Sequence, residues 1–233
     1  MAPYRERVAD TLPIFPLGTV LLPGASLPLH IFEPRYRQLT VDLVTGAISG
    51  RAFGVVAIRQ GWMTDVEEFA QVQHIGCSAS LRQVKRLSDG RFDIVTRGEQ
   101  RFRLLALDSS SAPYLMGKVE WVPDSEPSGA SVQAVPALTE AARAAHRRYC
   151  SAAWRQEDWT EPEAEADAKS LAHLIAADCL LSMEDRQQLL EEVNPLRRLR
   201  MVRRVLNRET GILKALRAIP AALPEFTTKP NYN

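Results

Sequence analysis

The residues best suited to chemistry in this sequence are its histidines and cysteines, and their spacing does not assemble a catalytic or metal centre. None of the histidines makes the HxxxH spacing that places two ligands on one helical turn, and the cysteines form no CxxC pair. Cys150 and Cys179 fall on predicted helix faces, where a buried structural thiol is the commoner role. We therefore predict no metal site and no cofactor. The residues concerned are His30, His74, His146, His173, Cys77, Cys150 and Cys179.

Nucleophilic and phosphate-binding motifs are also missing from the sequence. Lys169 and Ser170 come closest to a serine–lysine pair, but neighbouring residues on a helix point in different directions. Gly18 and Gly24 come closest to a phosphate-binding loop, yet no lysine follows them and Pro23 interrupts the turn. These patterns predict a protein that is not an enzyme.

A short apolar stretch after a predicted strand is the first feature that indicates binding. Trp62 and Met63 follow Gly61, and Phe69 lies in the next segment among acidic residues. Trp and Met offer large or adaptable apolar surface that can anchor a peptide. The alternative is that Trp62 folds back onto the core. Trp62, Met63 and Phe69 are the candidate peptide-binding residues.

The second feature is a basic stretch near the end of the sequence. From Arg197 to Arg217 there are eight basic side chains and one acidic side chain, Glu209. Such a helix can contact phosphates or an acidic partner. The alternative is a solvated outer face that the acidic segment 157–167 partly neutralises. The candidate basic patch consists of Arg200, Arg203 and Arg204.

The elements that must position these residues change character along the chain. The first half carries period-two strand patterns, a hairpin-turn signal at Asp89 and Gly90, and one helix that starts at Pro34. Apolar residues at three- and four-residue spacing dominate the second half. The sequence predicts a β-rich subdomain over 1–123 with one helix near 34–45, a linker over 124–132, a helical subdomain over 133–219 and an extended tail over 220–233.

Two caps mark the last predicted helices. Ser182 is expected to cap one of them, with Asp185 reaching back to the cap backbone, and Asn194 to cap the other. The apolar stripe of the last helix is predicted to run from Leu199 to Ile212 and beyond.

Length and composition describe a globular protein whose electrostatic interactions must be local. The sequence has 233 residues, of which 45% are hydrophobic, with 29 basic against 28 acidic side chains. A net charge of +1 gives no general attraction to nucleic acid or to an anionic membrane. The most apolar stretch, 12–32, is broken by prolines and cannot be a membrane helix. The N-terminus does not read as a signal peptide, so we expect a cytoplasmic protein that does not associate with membranes.

The most informative pattern lies in the first forty residues. Residues 12–18 read Leu-Pro-Ile-Phe-Pro-Leu-Gly, and residues 27–36 read Leu-Pro-Leu-His-Ile-Phe-Glu-Pro-Arg-Tyr. A strand with a Gly-x-x-Arg motif follows at Gly98 and Arg101. These motifs resemble the N-terminal domain of Lon proteases, and the resemblance covers the chain from about residue 12 to residue 218.

The resemblance implies an α+β fold in which a PUA-like pseudo-barrel precedes a helical bundle with a long last helix. In Lon proteases this domain captures protein substrates, and the ATPase and Ser-Lys protease domains follow it. Those domains have no counterpart in this sequence, which therefore looks like a stand-alone, non-catalytic module of the adaptor or chaperone-like kind. The expected partner is an unfolded or partner polypeptide, and the alternative is RNA bound through the PUA-like fold and the basic 197–217 helix.

The signature residues of this resemblance are expected to be mostly structural. Prolines keep edge strands extended and remove hydrogen-bond donors, and glycines permit turns. Glu33 is placed to accept amide hydrogen bonds at a helix N-terminus, and Arg35 to pair with Glu33 or with a neighbouring strand. The set comprises Pro13, Pro16, Gly18, Pro23, Phe32, Glu33, Arg35, Tyr36, Gly76, Asp89, Gly90, Gly98 and Arg101.

Overall fold

The computed structural model describes residues 10–59, 66, 68–153, 159 and 161–216. Its strands are β1 (Asp10–Leu17), β2 (Ser26–Ile31), β3 (Ala52–Ala57), β4 (Ile75–Arg86), β5 (Phe92–Asp108) and β6 (Met116–Trp121). Its α-helices are α1 (Pro34–Thr45), α2 (Val135–Ala153), α3 (Leu171–Ala177), α4 (Met183–Glu191) and α5 (Pro195–Leu216). The α+β class is confirmed.

The six strands form one mixed sheet that closes on itself. The strand order is β2-β5-β4-β3-β1-β6, and a further pairing of β5 with β6 joins five of the strands into a barrel. All neighbours are antiparallel except β1 and β3. Closure depends on the length of β5, whose 17 residues pair with β2 and β4 in the first half and with β6 in the second. The apolar and polar residues that alternate over 92–96 and over 101–107 therefore belong to one strand.

The hairpin between β4 and β5 is confirmed. Gly90 adopts a positive φ of 80°, and its N–H donates to the carbonyl of Leu87. The carboxylate of Asp89 accepts the backbone N–H of Arg91 at 3.0 Å and also binds its guanidinium. Only a residue without a Cβ adopts that φ readily, so the Asp-Gly signal is a sound predictor of this turn.

The barrel interior and the space outside it are filled by separate apolar cores. The interior is lined by side chains that include Ile14, Phe102 and Val119. Gly76 lies against it, where a Cβ would come within 2.5 Å of the carbonyl oxygen of Val55. The larger core runs from the outer face of the sheet and α1 into the helices, as far as Leu206 of α5. This continuous apolar packing joins the β-rich part to the helical part.

The predicted starts of two helices are confirmed, and the predicted buried face of the last helix is confirmed in part. Pro34 opens α1, and the Asn194 side chain accepts the backbone N–H of Leu196 at 3.0 Å at the start of α5. In α5 the buried stripe includes Leu199 and Val202. Leu213 packs partly buried against the core, as predicted, but Ile212 is 44% exposed and lies outside the stripe. No described helix is both long and apolar enough to cross a membrane.

The helix cap predicted at Ser182 is also confirmed. Ser182 accepts the backbone N–H of Asp185 at 3.0 Å. The Asp185 carboxylate accepts the Ser182 hydroxyl and a guanidinium nitrogen of Arg208. Asp185 therefore reaches back to the side chain of the cap residue, and Arg208 shares the same carboxylate oxygen. Segments 217–219 and 220–233, the end of the predicted helical subdomain and the tail, lie outside the described residues.

Candidate functional site

An apolar pocket lies where β2 turns into α1. Its volume is about 150 Å³, and it is lined by several residues of the sequence signature. Phe32 stands at its rim with 60% of its surface exposed, the most exposed large apolar side chain of those described. The signature residues that line the pocket are Pro16, Gly18, Phe32, Glu33 and Tyr36.

Strand alternation and the helix start explain why Phe32 is exposed. Ile31 ends β2 with its side chain buried, so Phe32 points to the opposite side of the chain. Pro34 begins α1 two residues later, and its fixed φ sets the direction in which the chain leaves the strand. The Phe32 ring stacks loosely on the ring of His30, with centroids 6.3 Å apart. The result is a large apolar surface that faces solvent.

The charged residues beside this pocket pair with each other. The Glu33 carboxylate accepts the Arg35 guanidinium at 2.9 Å and makes no side-chain cap to the backbone of α1. The expectation that Glu33 caps the helix is therefore wrong, and the pairing with Arg35 is what the structure contains. The Arg35 guanidinium also lies 4.8 Å from the ring centroid of Tyr36, which is buried in the core. Glu33 is the member of this pair that lines the pocket.

Strand β2 offers backbone groups at the edge of the sheet next to this pocket. Among the described residues it pairs with β5 on one side and with no strand on the other. Ser26, Pro28 and His30 are exposed, while Leu27 and Leu29 pack against the core. Pro28 has no N–H, which reduces the number of donors along the edge. An unpaired edge beside an apolar pocket is the arrangement that accepts an added peptide strand.

Of the three peptide-binding residues predicted from the loop, one lies within the part of the chain that the structure describes. Trp62 and Met63 fall outside the described residues. Phe69 lies in a short 3₁₀ turn, packs partly buried against the barrel core and stacks on His74 with ring centroids 4.3 Å apart. Phe69 does not line the pocket at β2. The sequence pattern missed Phe32 as a binding candidate because it reads there as one more apolar signature residue.

The two ends of the Gly-x-x-Arg motif in β5, Gly98 and Arg101, have different structural roles. A Cβ on Gly98 would lie 2.2 Å from the carbonyl oxygen of Leu22, because the loop that follows β1 crosses the strand at this point. Backbone hydrogen bonds fix the crossing, from Gly24 to Gly98 at 2.8 Å and from Gly98 to Ala25 at 2.9 Å. The same loop contains Pro23. Gly98 therefore holds the loop between β1 and β2 against the sheet.

Arg101 reaches from the barrel into the helices. Its guanidinium donates to the carbonyl oxygens of Leu190 at 3.0 Å and Glu192 at 2.9 Å, and it binds the carboxylate of Asp124. Arg198 of α5 binds the same carboxylate through both terminal nitrogens, at 2.9 and 2.7 Å. The side chains of Arg101 and Arg198 are 3% and 0% exposed. We call Arg101, Asp124 and Arg198 the buried clamp.

The buried clamp changes how two parts of the sequence are interpreted. Arg198 was counted in the basic stretch, yet it is fully buried and does not belong to an outer face. Asp124 opens the segment predicted as a linker, yet its carboxylate binds both arginines. Arg198 lies between Leu196 and Leu199, on the apolar side of α5, and this position is the signal that could have identified it as buried.

A larger groove of about 1180 Å³ lies above the buried clamp, between β5 and α3. Many of its charged side chains already have partners, such as Arg82 with Glu99 at 2.7 Å and Lys169 with Glu126 at 2.6 Å. Burial, together with the charges of the two clamp arginines, holds the pKa of His173 well below 6.5. The groove is thus a cleft with both polar and apolar walls, and one of its lining residues is this histidine.

The neighbouring Ser170 and Lys169 side chains do not form a nucleophilic pair. Ser170 donates its hydroxyl to the Asp167 carboxylate at 2.6 Å, while the neighbouring Lys169 ammonium binds Glu126, so the two side chains do not act as a dyad. Cys77, Cys150 and Cys179 are free and buried, as expected for the helix cysteines. Burial raises the pKa of the Cys77 thiol to about 12. No group of three or more His, Cys, Asp or Glu side chains among the described residues is arranged to hold a metal ion.

Comparison with known proteins identifies relatives of the chain. A family model described as the ATP-dependent protease La (LON) substrate-binding domain matches residues 11–208. Similar curated proteins include Lon protease from Anaeromyxobacter dehalogenans, at 29% identity, and Lon protease 2 from Myxococcus xanthus, at 30% identity. Each alignment covers 94% of this chain and 26% of the relative, so the chain spans a minor part of the curated relatives it matches.

Solved structures show the same fold. The Lon N-terminal domain protein from Xanthomonas campestris matches with a TM-score of 0.59 and 24% identity, over 91% of this chain and 99% of that one. The N-terminal domain of the Mycobacterium avium complex Lon protease matches with a TM-score of 0.62 and 22% identity, over 85% of this chain and 98% of that one. Both likenesses agree with the PUA-like barrel followed by helices.

Proposed function

This chain belongs to the family of the Lon substrate-binding domain, and we propose that it is a non-catalytic module that binds polypeptide in an extended conformation. The bound segment lies along the free edge of β2 and places an apolar side chain against Phe32 and into the adjacent pocket. The observation that carries the proposal is the combination of an unpaired edge strand with a 60% exposed phenylalanine at its end.

Two sources of binding free energy act at this surface. Main-chain hydrogen bonds to β2 provide affinity that does not depend on sequence, because every extended peptide presents the same backbone groups. The pocket adds a preference for an apolar side chain, since burial of apolar surface is favourable by about 25 cal/mol per Å². Such a surface favours unfolded segments over folded ones, because folded proteins have already paired their strands and buried their apolar side chains.

The test compares Phe32→Ser with Leu105→Ser in binding a reduced and alkylated, permanently unfolded protein. Leu105 is a matched control because it is also an exposed apolar residue of the barrel, at 43%, and it does not line the pocket. Full burial of a phenylalanine side chain contributes about 1.5–3 kcal/mol, so burial of its exposed part is expected to contribute about 1–2 kcal/mol. We expect Phe32→Ser to weaken binding by about 5- to 20-fold and Leu105→Ser to leave it nearly unchanged.

Hydrogen exchange of the same complex tests the strand addition. Backbone amides of residues 26–31 that face the free edge are expected to exchange more slowly when the unfolded protein is bound. Equal affinity of both variants, together with unchanged exchange in this segment, would place the binding surface elsewhere. Cleavage of the bound protein that disappears on substitution of one serine or lysine of this chain would show that the module is catalytic after all.

Location and alternative partners follow from the same proposal. We propose that the module binds unfolded polypeptide in the cytoplasm. There it would serve as an adaptor or as a chaperone-like factor. The family and the relatives support a polypeptide partner and give no support to RNA. Retention of RNA at physiological salt, lost on reversal of charge in α5, would favour the RNA alternative.

A further inference from the structure

The outer face of α5 carries positive charge that no described acidic side chain neutralises in an ion pair. Leu199, Val202 and Leu206 pack into the core, and the opposite side of the helix is exposed. Arginines lie on that side at three- and four-residue spacing, so their guanidinium groups project from one surface. We name this surface the arginine face and define it by Arg197, Arg200, Arg203 and Arg204.

Three described acidic side chains that could neutralise the arginine face have other partners. Asp185 and Glu209 both bind Arg208, each at 2.7 Å. Glu161, from the acidic segment expected to cover the helix, binds Arg147 of α2 at 2.7 Å. Within the ranges that the structure describes, none of the four arginines of the arginine face forms an ion pair.

A neighbouring helix extends the positive surface. Arg148 of α2 is exposed and donates to the side-chain amide oxygen of Asn207 at 3.0 Å, on the exposed side of α5. Its guanidinium therefore lies alongside the arginine face. Because the whole chain has a net charge of only +1, this concentration is local and is balanced by acidic side chains elsewhere. Opposite charge on a partner is the complement of such a patch.

We propose that the arginine face binds an acidic segment of a partner polypeptide. Arginine binds carboxylates through two parallel N–H donors, a geometry that lysine does not provide. An amphipathic acidic partner also finds apolar surface at the far end of the helix, where Ile212 is 44% exposed. Single-stranded nucleic acid is the weaker fit, because the exposed positions of α5 include no aromatic ring on which a base can stack. This site is separate from the pocket at β2.

The experiment measures binding of fluorescein-labelled polyglutamate to the full chain by fluorescence anisotropy at low salt. The test variant is Arg200→Glu with Arg203→Glu and Arg204→Glu. The matched control reverses three exposed charges on the barrel, Lys85→Glu, Arg86→Glu and Lys118→Glu, and so gives the same net charge. Circular dichroism confirms that both variants fold.

We expect the triple change in α5 to weaken polyglutamate binding by about tenfold or more, and the barrel control to weaken it by less than about threefold. Added salt is expected to weaken binding to the parent chain and to the barrel control alike. Equal losses of polyglutamate affinity in the two variants would show that net charge alone explains the effect, and would overturn the proposal. Tighter binding of an oligouridylate of the same length, lost only in the α5 variant, would overturn it in favour of RNA. Either result leaves the Phe32 experiment unaffected, because that experiment uses a different surface and probe.

Discussion

Asp124 is the residue whose replacement tests most directly how the barrel is held to the helices. Its carboxylate is the anion that the structure shows against the guanidinium groups of Arg101 and Arg198, and its side chain is only 16% exposed. Replacement by asparagine keeps the shape but leaves two buried positive charges without a counter-charge. Removal of one partner from a buried ion pair typically costs about 3–5 kcal/mol. We predict that Asp124→Asn lowers the free energy of unfolding by that amount.

The control is Glu126→Gln, two residues further along the same segment. The Glu126 side chain is 76% exposed and binds the Lys169 ammonium at 2.6 Å, so the interaction is a surface salt bridge. Such pairs contribute about 0–1 kcal/mol. Urea unfolding followed by circular dichroism and tryptophan fluorescence gives both free energies, provided that the m-values of the two variants agree with that of the parent.

A loss for Asp124→Asn no larger than that for Glu126→Gln would refute the reasoning, because the two arginines would then have to be stabilised without the carboxylate. A second variant sharpens the test. Arg198→Met added to Asp124→Asn removes one of the two buried positive charges that Asp124→Asn leaves without a counter-charge. The loss of unfolding free energy in the double variant is therefore expected to be smaller than the sum of the losses in the single variants. Strict additivity would show that the two side chains are not coupled.

Two further predictions concern a glycine of the signature and the groove histidine. Gly98→Ala is expected to cost about 1–3 kcal/mol because its Cβ meets the Leu22 carbonyl. Gly211→Ala, in an open part of α5, is expected to stabilise by about 0.5–1 kcal/mol. In urea unfolding, a stabilised Gly98→Ala would contradict the first assignment and a destabilised Gly211→Ala the second. His173 has a folded-state pKa well below 6.5, so below pH 6.5 the unfolded chain binds a proton that the folded chain does not. As the pH falls below about 6.5, the free energy of unfolding should therefore decrease by up to about 1.4 kcal/mol per pH unit because of this group. His173→Gln removes that contribution, and an unchanged slope in the variant would contradict the assignment.

The features that the sequence predicted well are those set by neighbours in the chain. The turn at Asp89 and Gly90 depends on one positive φ, and the start of α1 depends on one proline. The cap at Asn194 depends on amides two and three residues away. Each needs information from a few consecutive residues, which a single sequence contains.

The features that the sequence could not supply depend on contacts between distant residues. Closure of the barrel requires β5 to exchange partners along its length, and the buried clamp joins positions 74 residues apart, Asp124 and Arg198. A charged residue on a helix is usually solvated, so the burial of Arg198 depends on a carboxylate that the sequence places far away. The exposure of Phe32 likewise depends on which distant parts of the chain pack around it. A local pattern of apolar residues does not reveal how that packing is arranged.

The spacing of the Gly-x-x-Arg motif follows from a bulge in β5. Residues three apart in a regular strand face opposite sides of the sheet. Here Gly98 pairs with Ala79 and Arg101 with Cys77, so β5 contains one residue more than β4 between these pairs. The Ser78 hydroxyl accepts the N–H of Gln100 at 3.1 Å, so this amide has a hydrogen-bond partner where the pairing of β4 with β5 is interrupted.

The extra residue returns Arg101 to the face on which Gly98 lies, and both residues line the groove beside the helices. One end of the motif then holds the loop before β2, and the other enters the buried clamp. Because that loop leads directly into β2, the motif connects the position of the proposed peptide edge to the attachment of the helices. A sequence element that reads as a simple strand is therefore the point where the barrel, the edge strand and the helical part are fixed relative to one another.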